Sequence, residues 1–171
     1  MFDGINLQSS FYISFISLVF ISKNYLNEFF IVILISIFFF SLLNYKNKCF
    51  LGNNGTYFLS FIISCIFIYS YNNDKILYPE EIFLIMFLPG LELIRLTISR
   101  SLKKKHPFKA DKNHIHHLLL VKYNFNKTIL ISCSMASTPY LTSIFFQDYL
   151  IYVSTFYIIL YSFITGYLIK K

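Results

Sequence analysis

The chain has no tryptophan and little charge. Of its 171 residues 13% are charged, with 8 acids against 15 bases. A soluble domain carries about 25% charged residues, so this composition excludes an ordinary water-soluble enzyme. With 5 glycines and 4 prolines there is no Gly- or Pro-rich linker to divide the chain, and no internal repeat stands out. The 3 cysteines, Cys49, Cys65 and Cys133, lie far apart, each in or beside an apolar run. That spacing argues against a disulfide framework or a Cys-based metal motif. It reads instead as small hydrophobes buried in a membrane.

Apolar sequence fills the space that charge leaves. The chain is 56% hydrophobic, with 21 Phe and 14 Tyr. Apolar runs fall at Leu7–Ile21, Phe29–Leu43, Tyr57–Tyr71, Ile82–Ile98, Ile129–Phe146 and Leu150–Ile169. A spanning helix needs about 20 residues, with about 17 tolerated. The first three runs fall short, and flanking Ser, Asn and Tyr are expected to extend them into the headgroups. The expected fold is all-α, a polytopic membrane protein with about six transmembrane helices, forming a single membrane domain over residues 1–171. The first span is the weakest. Pro89-Gly90 is expected to kink or break the fourth.

Charge orients these spans. With six of them, the N-terminus, the 44–56 loop, the 99–128 loop and the C-terminus share one side. That side takes 13 of the 15 basic residues, all but Lys23 and Lys75. The positive-inside rule makes it cytoplasmic. The opposite side receives Glu28, Asp74, Glu80, Glu81 and Asp148.

Function is sought in the one long loop, residues 99–128. It holds His106, three clustered histidines, His114, His116 and His117, and the lysines Lys103, Lys104, Lys105, Lys109 and Lys112. Three readings fit. One is a site for a pyrophosphate or sugar phosphate, with fixed lysine charge and directional imidazole donors. Another is a juxtamembrane basic segment on anionic lipids. The third is a zinc site of the three histidines with Asp111, whose tight spacing suits an extended or turning backbone better than a regular helix. Three further segments carry chemistry. Gly52-Asn53-Asn54-Gly55-Thr56 reads as a phosphate-facing turn before a helix begun by Thr56, or as a plain turn and N-cap. Asp3-Gly4-Ile5-Asn6 reads as a metal or nucleobase contact, or as a solvated terminus. Glu92 and Arg95, at i and i+3, share a helix face and read as a functional or a structural pair.

Pro89-Gly90-Leu91-Glu92-Leu93-Ile94-Arg95 and Pro107-Phe108-Lys109-Ala110-Asp111-Lys112-Asn113-His114-Ile115-His116-His117-Leu118-Leu119 together resemble the signature of a known family. It is the polyprenyl-phosphate N-acetylhexosamine-1-phosphate transferases, which start lipid-linked O-antigen, enterobacterial common antigen and teichoic acid synthesis. Phe50 to Thr56 is similar to the family's Phe-x-Gly-Asp-x-Gly-Ser/Thr element. Asp3-Gly4-Ile5-Asn6 is similar to the tail of its Asn-x-x-Asp-Gly-x-Asp/Asn motif. The resemblance covers about residues 1–120, in family order.

The resemblance implies a reaction, its partners and a location. A polyprenyl phosphate attacks the β-phosphorus of a UDP-N-acetylhexosamine, UMP leaves, and Mg2+ neutralises the diphosphate. Asp3 would be the catalytic or metal-proximal carboxylate and Asn6 would hold the uridine. Phe50 would stack on the uracil, and His114, His116 and His117 would bind phosphates or sugar. The membrane would be the bacterial inner membrane, with the histidine loop on its cytoplasmic face. No nucleic-acid partner is expected. Asn53 stands where the family has a magnesium-binding Asp, and an amide oxygen is a weaker ligand for that hard cation. Glu92 stands where Asp is more usual. The family's N-terminal half, with its Asp-Asp motif, has no counterpart here. The expectation is therefore the C-terminal part of a transferase, inactive alone, with a separately encoded N-terminal half. The rival expectation is a non-catalytic membrane protein that binds lipid headgroups or a partner through the basic loop.

Overall fold

A computed structural model describes residues 5–74, 78–104 and 113–169, and every regular element among them is a helix. Four helices are long and apolar enough to cross a membrane: α2 (Asn27–Tyr45), α3 (Gly52–Asn72), α7 (Phe125–Phe145) and a final stretch, Gln147–Ile169. A bent pair, α4 (Pro79–Ile85) and α5 (Phe87–Leu102), would make a fifth span. The helix α1 (Gln8–Ser22) has 15 residues. That is about 22 Å, short of a hydrocarbon core of about 30 Å. The expected six spans are therefore four to five by length and composition. The second and third runs are extended by their flanks as anticipated; the first is not.

The fourth run breaks three residues before its proline, not at it. Pro89 has no N–H to give the carbonyl of Ile85, and its ring crowds that oxygen. The first helix accordingly ends at Ile85, and the second starts at Phe87 after a turn of 80°. Pro89 then sits in the first turn of α5, where a missing N–H costs little. Pro79 is likewise in a first turn, as the first residue of α4.

The chain divides into two units, residues 2–82 and 83–171. In the first, α1 and α2 form a hairpin through a turn in which Asn24 (φ 52°) and Leu26 (φ 50°) are left-handed. Phe20 is fully buried there and stacks on Phe30 at 4.8 Å, with Phe67 of α3 tilted against it at 5.4 Å. At the same end Lys23 and Glu81 pair at 2.6 Å. The opposite end is fastened by Asn44, 1% exposed. Its Oδ1 accepts the Leu7 N–H at 2.7 Å, and its Nδ2 donates to the Cys49 carbonyl at 2.8 Å. The faces of α2 and α3 carry exposed apolar side chains, Val32, Phe38, Phe39, Phe58 and Phe61 among them. Helices with apolar sides turned outward are in a lipid solvent. Cys49, Cys65 and Cys133 are free thiols.

In the second unit α5 is followed by α6 (Ile115–Lys122), α7 and α8 (Leu150–Ile169), with a 3-10 turn, Gln147–Tyr149, leading into α8. The buried stripe of α7 is Thr128, Ser132, Ala136, Pro139, Tyr140 and Ser143, small but for Tyr140. Small residues at this spacing let helix backbones approach closely in a membrane, where lipid leaves no hydrophobic drive between helices. Pro139 lies inside the helix without ending it. Among its described residues the expected long loop is largely helical: α5 runs on to Leu102, α6 covers Ile115–Lys122 and α7 begins at Phe125.

Candidate functional site

Glu92 on α5 is 4% exposed and gathers four groups. Its Oε1 accepts from Arg95 Nη2 at 2.9 Å, Arg95 Nε at 3.0 Å and the Tyr161 hydroxyl at 2.5 Å. Its Oε2 accepts the Ile115 N–H at 3.1 Å and stands 3.5 Å from His114 Nδ1. Arg95 also donates through Nε to the Tyr161 hydroxyl at 3.1 Å and through Nη2 to the Asn113 carbonyl at 2.5 Å. The pair is structural and positioning at once. A buried carboxylate would be costly alone, and here each oxygen is answered by a donor.

The Ile115 N–H has no acceptor within its own helix at the start of α6, whose N-cap residue, His114, makes no side-chain capping bond. Glu92, from another helix, supplies the cap and the negative charge that a helix N-terminus favours. This contact sets depth. Glu92 precedes the end of α5 by ten residues, about 15 Å along the axis. At its other end, Lys122 donates to the Tyr167 carbonyl at 3.0 Å and lies 3.7 Å over that ring, near the end of α8. The helix α6 thus starts below the helix ends and climbs back to them.

The histidines are brought together by this arrangement. His114 is extended (φ −63°, ψ 146°), whereas His116 and His117 lie on α6. The expected non-helical backbone holds for His114 alone, because Glu92 caps the helix immediately after it. The His114 and His116 rings are parallel with centroids 5.4 Å apart, and His116 and His117 are 4.4 Å apart. His116 is 3% exposed, and its Nε2 has no partner among the described residues. Burial, then the neighbouring His117 and His114, push its pKa down to about 3, against the opposing pull of Glu92. At pH 7 it is a neutral imidazole, able to give or accept a hydrogen bond without carrying charge.

The other expected residues fall in the first unit or outside the described residues. Asp3, and with it Lys105, His106, Lys109, Asp111 and Lys112, lies outside them. Asn6 donates its side-chain amide to Asn47 Oδ1, next to the Asn44 clamp. Phe50 follows the clamped Cys49 and exposes 62% of its surface. Asn53 is exposed in the first turn of α3. That helix begins at Gly52 rather than Thr56, because Gly52 takes φ +65° as the chain enters it. The Thr56 hydroxyl instead donates back to the carbonyls of Gly52 and Asn53. Among the described residues no three His, Cys, Asp or Glu side chains are placed to hold a metal ion. The zinc reading therefore finds no support there. Asn53, a single neutral amide, does not make a magnesium site by itself. Asn44 and Tyr161 were missed by sequence reasoning. An Asn at a helix end and one Tyr among 14 carry no distinguishing signal.

Over 89 residues, 52% of the chain, the sequence is 30% identical to an undecaprenyl-phosphate α-N-acetylglucosaminyl 1-phosphate transferase from Thermotoga maritima. The chain spans 29% of that relative's length. No family model and no solved structure matches it.

Proposed function

We propose that this chain takes part in transferring a sugar 1-phosphate to a polyprenyl phosphate at the cytoplasmic face of a bacterial inner membrane. The observation that carries the reading is the three-imidazole cluster, fixed below the helix ends by a fully answered buried carboxylate. The partial likeness to the Thermotoga protein supports the reaction class. In that reaction an oxygen of the lipid phosphate attacks the β-phosphorus of a UDP-N-acetylhexosamine. A new P–O bond forms, the bond to UMP breaks, and UMP leaves. A loose phosphoryl-type transition state needs positioning and electrostatics more than covalent help. His114 and His117 would donate to phosphate oxygens. His116, uncharged at neutral pH, would orient a phosphate or the sugar by hydrogen bonding. His114 has Nδ1 toward Glu92, so its Nε2 is the atom to meet a ligand. Phe50 and Asn6 keep the roles the resemblance implies, stacking on uracil and holding uridine.

The test is UDP-N-acetylglucosamine affinity of the full chain in detergent. Single His114→Ala, His116→Ala and His117→Ala changes are compared with Lys103→Ala and Lys104→Ala. A hydrogen bond to a charged group is worth about 1.5–3 kcal/mol. Each histidine change is expected to weaken binding by about ten- to a hundredfold, and the lysine changes by less, because exposed charge is screened. Loss with the lysine changes alone would replace this reading with a non-catalytic binder of anionic headgroups.

A further inference from the structure

Between the ends of α5, α6 and α8 lies a cavity of about 550 Å³ lined by none of the three clustered histidines, with Arg95 and Asn113 forming its border with their site. Its polar lining is Arg95, Ser99, Lys103, Asn113 and Lys122, and its apolar wall is Leu118, Val121, Leu168 and Ile169. Among the described residues three cations line it and no carboxylate does. It reaches from Arg95 and Asn113 up to the level of the helix ends. Lys103 follows the last residue of α5, Lys122 ends α6, and Leu168 and Ile169 end α8. In a chain whose helices turn apolar sides outward, helix ends meet the headgroup layer.

The charges define the ligand. Arg95 is already paired with Glu92. Three helix C-termini converge here, each with a partial negative end of about half a charge. Lys122 answers one directly through its bond to the Tyr167 carbonyl. Two lysines against three half-charges leave about half a positive charge, which suits a singly charged group and not a diphosphate. The wall beside it suits a hydrocarbon chain, with Val121 86% exposed and Leu102, at the last turn of α5, 80% exposed. We infer that this cavity binds the singly charged phosphodiester headgroup of a membrane phospholipid, with the first part of an acyl chain along Leu118, Val121 and Leu168. The cavity adjoins the histidine site through Arg95 and Asn113, and lipid binding there stands whether or not the chain takes part in the transfer.

The experiment is native mass spectrometry of the full chain released from detergent, with phosphatidylglycerol, zwitterionic phosphatidylcholine, or glycerol 3-phosphate as probe. The parent chain is expected to retain phosphatidylglycerol in preference to phosphatidylcholine, and glycerol 3-phosphate not at all. A lysine near anionic lipid is worth a factor of about five. Lys103→Gln and Lys122→Gln should each lower phosphatidylglycerol retention by about that factor, and the double variant by about twenty-five-fold, with phosphatidylcholine unchanged. Lys104→Gln is the neighbouring control and should have no such effect, since Lys104 does not line the cavity. Lys122→Arg keeps the charge and should keep the lipid, which covers the case in which Lys122→Gln misfolds. Equal loss with Lys104→Gln would overturn the proposal in favour of diffuse surface charge. Retention of glycerol 3-phosphate would overturn it in favour of a soluble phosphate site.

Discussion

Replacing Glu92 by Gln keeps size and shape while removing one charge from the middle of the second unit. The carboxylate is 4% exposed and accepts from Arg95, Tyr161 and the Ile115 N–H. Gln offers one acceptor oxygen where two were used, and its NH2 faces donors. Arg95 is left without its counter-charge in a poorly solvated place. Breaking one partner of a buried pair costs about 3–5 kcal/mol, and hydrogen bonds to the lost charge account for a comparable amount, about 1.5–3 kcal/mol each. These are two descriptions of one loss and do not add, so we expect about 3 kcal/mol. For a chain of this size that lowers the melting temperature by roughly 6–12 °C. The assay is thermal unfolding in detergent, with Lys23→Gln as comparison. Lys23 and Glu81 also form an ion pair, but their side chains are 23% and 16% exposed, and a partly solvated pair is worth about 1 kcal/mol or less. A Glu92→Gln melting point within the error of Lys23→Gln would refute the reasoning, since it would mean the buried carboxylate holds nothing that solvent does not.

Tyr161→Phe removes one donor from Glu92 and should cost about 1.5–3 kcal/mol by the same unfolding assay. His116 titrates with a folded pKa of about 3 against 6.5 for the free side chain. The unfolded chain therefore binds the proton first, and stability is full above about pH 6.5 and falls as pH drops toward 3. Between pH 7 and pH 5 the melting temperature should fall, and His116→Phe, which has no proton to take up, should flatten that fall. Gly52→Ala places a Cβ at φ +65° and should cost about 1–2 kcal/mol, although the space around it is open. Cysteines placed singly at Ser101 and Asn73 in a Cys-free chain should label from opposite sides of the membrane, with Ser101 cytoplasmic; labelling of Ser101 from outside intact cells would reverse the orientation.

The sequence carried the helices and the chemistry unequally. Apolar runs located α2, α3, α7 and α8 because lipid-facing helices need little else. The i, i+3 spacing of Glu92 and Arg95 put them on one face, and the histidine spacing marked the cluster. Their common cause, Glu92 capping α6, was not legible. It depends on a carboxylate reaching an N–H 23 positions later, which no local pattern encodes. Pro89 announced a break but not its place, because a proline acts on the carbonyl four residues earlier. Pro139 lies inside α7 without breaking it. The start of α3 moved to Gly52 since the left-handed turn, not the threonine, begins the helix. Asn44 looked like the end of a span and is the clamp beside both Asn6 and Phe50.

The central claim is that the imidazoles at His114, His116 and His117 contact a sugar-nucleotide phosphate. The direct measurement is NMR of 15N-histidine-labelled chain in lipid nanodiscs, titrated with UDP-N-acetylglucosamine. The account predicts saturable shifts of these three ring signals, with His106 as an internal comparison. Glu92→Gln should weaken the response, because the segment is no longer held. Unmoved rings in the presence of saturating UDP-N-acetylglucosamine would contradict it.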